Sequence, residues 1–339
     1  MRGVCAGILA TVLLVSILGP LAATESSDDR ALSHEDEEFE SRPRTVEVDV
    51  GGDRVEFRSI GAEGDRLRIE FRAQDGELRL DFTVPENNTV EVQLRLTVEA
   101  LMEYMDGDES GNFDVGEEVV QTLEVDEMPF EVGLLEAVDD GYIIGVDYFL
   151  QETDLLFGLT FWIFGNDTPL EGAIIHPTEV KFDVGISFFP FERELSSLAL
   201  VVEMQTEVEP RANFTGTEVE LEAVGDRYEG FFRWNKMAEV DETPATVGSA
   251  VIKRETEFEG GLTELEVERT VVLSYPHGTT IFHDPAVGVA AVPILPPPPP
   301  PPEEPTPIPP LNVLTYGIML GFSSLFVVAT LLARRRKSG

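Results

Sequence analysis

"RLRIEFRAQDGELRLDFTV", residues 66–84, decides how this chain is read. Leu67, Ile69 and Phe71 alternate with Arg68 and Glu70. After the turn "QDGE", Leu78, Leu80 and Phe82 alternate with Arg79 and Asp81. Side chains of a strand repeat direction every second residue, so each segment has one apolar and one charged face. Two such strands around an Asp-Gly turn predict a hairpin of an antiparallel sheet with one side buried.

The period-two pattern continues in "KFDVGISFF" (181–189) and "LEVERTVVLSY" (265–275), with turn signals "GGD", "AEGD", "DDG" and "EGG" between such runs. No convincing amphipathic helix interrupts it. Residues 45–292 therefore read as an all-β, antiparallel β-sandwich, either one large sandwich or two in tandem. Two hairpins look alike, "VEVDVGGDRVEF" (46–57) and "VELEAVGDRYEGF" (219–231). If they mark an internal repeat, the division falls near 167–178; a chance likeness between two hairpins explains them equally well. The apolar run "LLFGLTFWIFG" (155–165) alternates and reads as core rather than as a sugar platform.

The composition excludes several partners. Asp plus Glu number 64 against 24 Lys plus Arg, for a formal net charge of −40 over 339 residues. Such a field repels nucleic-acid phosphates and anionic lipid. It attracts cations and suits a salty, archaeal-like environment, where screening removes the self-repulsion. The cations are arginines apart from Lys181, Lys236, Lys253 and Lys337.

The two ends predict a location. Arg2, an apolar stretch and "LAA" compose a secretory signal peptide over residues 1–23, or alternatively an uncleaved anchor. The single cysteine, Cys5, lies inside it, so disulfide and thiolate chemistry are not expected of the mature chain. Residues 24–44 are charged and poor in apolar side chains, and are expected to lack structure. Residues 293–310, "PILPPPPPPPEEPTPIPP", read as a polyproline stalk up to ~55 Å long. Residues 311–333 carry no charge, and as a helix they cover roughly 34 Å, enough for a hydrocarbon core of ~30 Å. The basic residues 334–337 that follow set the C-terminal tail (334–339) in the cytoplasm and the bulk outside. The expectation is a single-pass cell-membrane protein with an extracellular ectodomain. Sequons at Asn87, Asn166 and Asn213 fall in or beside expected turns and are candidate glycan acceptors.

One stretch departs from strand patterning. In "MDGDESGNFDVGEEVV" (105–120), Asp106, Asp108, Ser110, Gly111, Asn112, Asp114 and Glu117 occupy positions 1, 3, 5, 6, 7, 9 and 12 of a twelve-residue loop. This resembles the EF-hand calcium loop over residues 106–117. The resemblance implies Ca2+ as cofactor, with Asp106, Asp108, Ser110, Asn112, Asp114 and Glu117 as its ligand set. Calcium takes six to eight oxygens, Gly111 permits a left-handed turn, and Glu117 is long enough to reach back. The flanks differ from that family. Val90, Val92, Leu94, Leu96, Val98, Ala100, Met102 and Tyr104 alternate like a strand, and Val119, Gln121, Leu123 and Val125 suggest another. The reading is strand, calcium loop, strand, with a structural rather than a sensor ion. Composition alone also produces acidic turns in such a chain.

No catalytic residue is assigned. His277, His283 and Asp284 lie close together in "YPHGTTIFHDP" (275–285) and form a candidate for a metal or acid–base site. A turn and a strand end explain that spacing equally well. The functional expectation is a glycosylated, calcium-stiffened surface protein with a structural or adhesive role toward envelope or cell-surface components. A carbohydrate-binding or carbohydrate-acting protein and a solute-binding receptor are the alternatives. The partner and the oligomeric state are not legible.

Overall fold

The computed structural model describes residues 39–86, 89–150, 153–170, 172–253 and 267–292. The signal segment, the stalk, residues 311–339, most of 24–44 and Asn87 lie outside them. Among the described residues no helix is long and apolar enough to cross a membrane. The regular structure there is strand throughout, apart from one 3-10 turn at Val125–Glu127.

The chain begins with a meander: β1 (Arg44–Gly51), β2 (Arg54–Gly61), β3 (Arg66–Arg72), β4 (Glu77–Thr83) and the long β5 (Val90–Met105), followed by β6 (Glu118–Glu124). Next come β7 (Phe130–Val132), β8 (Glu136–Val138), β9 (Gly141–Phe149), β10 (Leu156–Phe164), β11 (Thr168–Leu170), β12 (Ala173–Ile175) and β13 (Glu179–Ser187). The third section holds β14 (Ser197–Thr206), β15 (Arg211–Thr215), β16 (Glu218–Val224), β17 (Tyr228–Asn235) and β18 (Met237–Val240). It ends with β19 (Thr243–Thr246), β20 (Gly248–Lys253), β21 (Val267–Tyr275), β22 (Thr280–His283) and β23 (Ala286–Ala291).

These strands form two large antiparallel sheets. The first runs β1-β2-β3-β4-β5-β14-β21-β20, with β6 also on β5. The second runs β15-β16-β17-β23-β13-β10-β9-β7, with β8, β18, β19 and β22 attached. A separate hairpin, β11–β12, lies in the 167–178 stretch. The strands on its two sides, β10 and β13, pair directly from Leu156↔Ser187 to Trp162↔Lys181. Both Gly-Asp-Arg segments are hairpins, β1–β2 in the first sheet and β16–β17 in the second.

The apolar faces of both sheets close on one core. Leu67, Ile69, Phe71, Leu78, Leu80 and Phe82 are all buried in it, as the alternation predicts. The run 155–165 supplies Leu155, Phe157, Leu159, Phe161 and Ile163 from the second sheet. Phe161 sits between the layers, 4.8 Å from Phe71 and 5.9 Å from Phe57 by ring centroids. Tyr148 donates its hydroxyl to the Ala73 carbonyl at 2.7 Å and ties the sheets polarly. Fully burying a Phe side chain contributes about 1.5–3 kcal/mol, so the aromatic layer is a large part of the stability.

Two features differ from the sequence expectations. Phe39–Arg44, the end of the segment expected to lack structure, belongs to the fold. Phe39 packs on Phe82 and Tyr228, and the buried Arg44 guanidinium pairs with Asp65 at 2.6 Å.

The second difference is in β5, where the alternation does not run unbroken to Tyr104. Its register against β14 passes from Val98↔Val202 to Ala100↔Val201, so that Glu99 stands in a bulge. An extra residue flips every following side chain. Leu101 therefore joins the main core, while Met102 and Tyr104 turn to the opposite face and form a second cluster with Ala199 and Val272.

Phe161→Ala should cost about 3–5 kcal/mol, as large aromatic truncations in a core do. Guanidinium unfolding checks it, with an unchanged slope against denaturant. A cost below about 1 kcal/mol would mean that the sheets do not close on this ring.

Candidate metal centre

The β5–β6 connection carries the loop. Asp106 follows the last residue of β5, and Glu117 precedes the first of β6. One carboxylate oxygen from each of Asp106, Asp108 and Glu117 lies within 4.8 Å of the other two. Among the described residues no lysine or arginine pairs with any of the three.

Backbone N–H groups hold them in place. Asp106 accepts from Ser110 at 3.1 Å and from Gly111 at 2.8 Å. Asp108 accepts from Ser110 at 3.0 Å, and this bond holds its carboxyl below the usual range. Glu117 accepts from Gly107 and Asp114, both at 3.0 Å, and so closes the loop on itself. Gly111 has φ +77°, with open space where a Cβ would stand. It is needed for its backbone conformation, not for room.

The other three expected ligands take different places. The Ser110 hydroxyl donates to the Asn112 carbonyl at 3.3 Å. The Asn112 side-chain oxygen accepts from Ser249 N–H on β20 at 3.0 Å. Asp114 does not join the carboxylate trio; it donates its N–H to Glu117.

The loop is docked rather than free. Phe113 lies edge-on to Tyr104 at 5.3 Å and covers the second cluster that the β5 bulge creates. A Cβ on Gly248 would stand 1.8 Å from the Gly111 carbonyl oxygen, so β20 must be glycine where the loop crosses it. Sequence reasoning missed Gly248 and Ser249, and no local signal marks them, since Ser249 lies 137 residues from Asn112.

Glu103 was also missed, and looks like any other acid in this chain. Its carboxylate is fully buried and accepts from Glu192 N–H, Arg193 N–H, Ser196 hydroxyl and Gln121 amide at 2.6–3.1 Å. Burial works to raise its pKa, but these donors outweigh it and hold the carboxyl below the usual range. It anchors the loop 188–196 to β5.

The histidines make separate contacts. His283 is buried, with Nδ1 against the Tyr275 hydroxyl at 2.9 Å and Nε2 against the Asn235 carbonyl at 2.8 Å. Both ring nitrogens are thus occupied, which leaves no lone pair for a metal. His277 stacks on Phe191 at 3.9 Å. Asn166 is exposed and donates to Asp140, and Asn213 is half-buried and donates to Glu222 at 3.0 Å.

No protein-family model and no curated protein matches the chain. Among solved structures, it is similar to the heparan sulfate lyase HepC from Pedobacter heparinus, at 8% identity and a TM-score of 0.43. That alignment covers 74% of this chain and 37% of the lyase.

Two outcomes follow from these contacts. Gly248→Ala should lower the melting temperature by several degrees, because the added methyl displaces the loop from β20; an unchanged melt would mean that the loop does not rest there. Burial lowers the His283 pKa to about 4, below the ~6.5 of an unfolded imidazole. The unfolded chain binds more protons between those values, so the contribution of His283 is complete above about pH 6.5 and is lost as pH falls through about 4. Its ring-proton NMR shift should stay constant from pH 8 to pH 5.5; a midpoint near 6.5 would contradict the buried assignment.

Proposed function

We propose that this chain is a membrane-anchored, extracellular β-sandwich protein with a structural or adhesive role, whose loop 106–117 holds a structural Ca2+. The observation that carries the calcium reading is the trio Asp106, Asp108 and Glu117, gathered within 4.8 Å without a protein cation beside it. Hard oxygen donors of this kind suit Ca2+ and other hard divalent ions rather than softer zinc or copper. Ser110, the Asn112 carbonyl and Asp114 are the nearby oxygens that would complete the coordination.

The role is stiffening. The loop bridges β5–β6 to β20, so an ion in it would fix strands at both ends of that contact. The leader-like segment 1–23, the proline-rich stretch 293–310 and the apolar stretch 311–333 support an outside location, where millimolar calcium is available. Asn166 and Asn213 are the described sequons that could carry a glycan, with Pro169 directly after Thr168 making Asn166 the poorer acceptor.

The test is thermal unfolding of the purified protein in calcium and in chelator. Extracellular modules bind calcium with Kd of roughly 10⁻⁴–10⁻³ M. At 10 mM calcium and a Kd of 10⁻⁴ M, linkage gives about 2.7 kcal/mol, or roughly 5–10 °C for a domain of this size. Asp106→Ala should abolish the rise while leaving the chelated melt nearly unchanged. No rise at 10 mM calcium, or an equal rise in the variant, would discard the site.

A further inference from the structure

The outer face of β1–β5 carries a second charged arrangement, with the signs layered. Arg54, Arg58, Arg66, Arg68, Arg72 and Arg79 all stand on it, in a chain whose net charge is −40. Their partners lie beneath them. Glu56 and Glu70 are 4% and 6% exposed at the side chain, whereas Arg58, Arg68 and Arg72 are 45%, 38% and 47% exposed. Arg68 bonds Glu56 at 2.9 Å, Arg58 bonds it at 2.5 Å, and Arg72 bonds Glu70 at 2.9 Å. The hydrogen bond from Arg68 is the main reason that Glu56 is held down at about 2. Water therefore meets guanidinium groups, while the neutralising carboxylates form the layer underneath.

Arg66 breaks the pairing. Its cross-strand neighbours are Ile60 and Thr83, neither of them acidic, and it makes no ion pair among the described residues. It is exposed and lines an open groove together with Arg58, Arg68, Ile60, Val90 and the carboxylates of Glu47, Glu56 and Asp81. Arg66 thus offers a planar, multidentate fork to an anion, beside Arg58 and Arg68, which already meet Glu47, Glu56, Glu70 and Asp81.

We propose that this groove binds an extended acidic saccharide, with a carboxylate or sulfate on Arg66 and Arg58, ring carbons on Ile60 and Val90, and hydroxyls on Glu47 and Asp81. A saccharide fits better than an acidic peptide. Peptides that add to sheets use free backbone edges; β2, β3 and β4 are paired on both flanks, and the edge strand β1 contributes only Glu47 to the groove. Only side chains are on offer, and forked carboxylates and guanidiniums match vicinal hydroxyls and ring anions. The groove shares no residue with the loop 106–117, so this site stands or falls independently of calcium.

Calorimetric titration of the full-length protein tests it, using an oligouronate, a sulfated oligosaccharide of equal length, a neutral oligosaccharide and oligo-glutamate. At least one acidic saccharide should bind, with affinity falling as salt rises, and the better of the two identifies the anion. Arg66→Ala should weaken it about tenfold and Arg66→Glu abolish it, while Arg211→Glu, on the exposed edge strand β15, should not. Failure of both acidic saccharides, equal binding of the neutral one, tighter binding of oligo-glutamate, or an unaffected Arg66→Ala would each overturn the proposal. Arg66 lacks a partner, so its variants should fold, and an unchanged melting temperature verifies this.

Discussion

Coulombic repulsion among carboxylates is the constraint that this fold has to satisfy everywhere. With 64 acidic side chains against 24 basic ones, most acids have no cation to meet. Those on exposed faces are left to water and salt. The buried ones are each answered individually. Glu103 has a ring of N–H, hydroxyl and amide donors. Glu179, whose pKa burial pushes up, has the Arg233 guanidinium at 2.5 Å. Glu56 and Glu70 have a roof of arginines. Asp106, Asp108 and Glu117 are the exception: three carboxylates drawn together with backbone N–H groups and the Ser110 hydroxyl around them, but no protein cation. An arrangement that raises repulsion at one point without a protein cation is the strongest physical argument for a cation from outside.

The loop can be drawn together because of one residue far from the acids. The bulge at Glu99 rotates the end of β5, so that Leu101 packs inward and Met102 and Tyr104 face outward. Phe113 covers that outward cluster, and the crossing over Gly248 follows. Core packing, strand register and the geometry of the acidic loop are in this way one continuous chain of cause. A loop fixed through aromatic contacts and a β20 hydrogen bond holds its carboxylates together even against their repulsion.

Much of the fold was legible in the sequence, because a half-buried strand must alternate. Leu67 to Phe82 and the run 155–165 read directly as core, and did become core. The alternation could not show where it slips: Glu99 has no composition that marks a bulge, and its effect appears only against β14. Phe39 was unreadable as an anchor, since one aromatic in an acidic segment carries no period. Of the six residues assigned to the calcium loop, spacing brought Asp106, Asp108 and Glu117 together. It could not show that the Asn112 side chain would be spent on Ser249, a contact made across 137 residues. The layering of arginine over glutamate was likewise hidden, because alternation says which face a residue takes and not how deep its charge lies.

The central claim is that repulsion in this loop is relieved by a bound divalent ion, and stoichiometry tests it most directly. Equilibrium dialysis of the purified protein against radiolabelled calcium, in salt high enough to screen diffuse acidic binding, counts the ions held. The account predicts one calcium per chain with a dissociation constant in the 10⁻⁴–10⁻³ M range, absent in Glu117→Gln. Uptake that rises without a plateau, or that persists unchanged in Glu117→Gln, would contradict it.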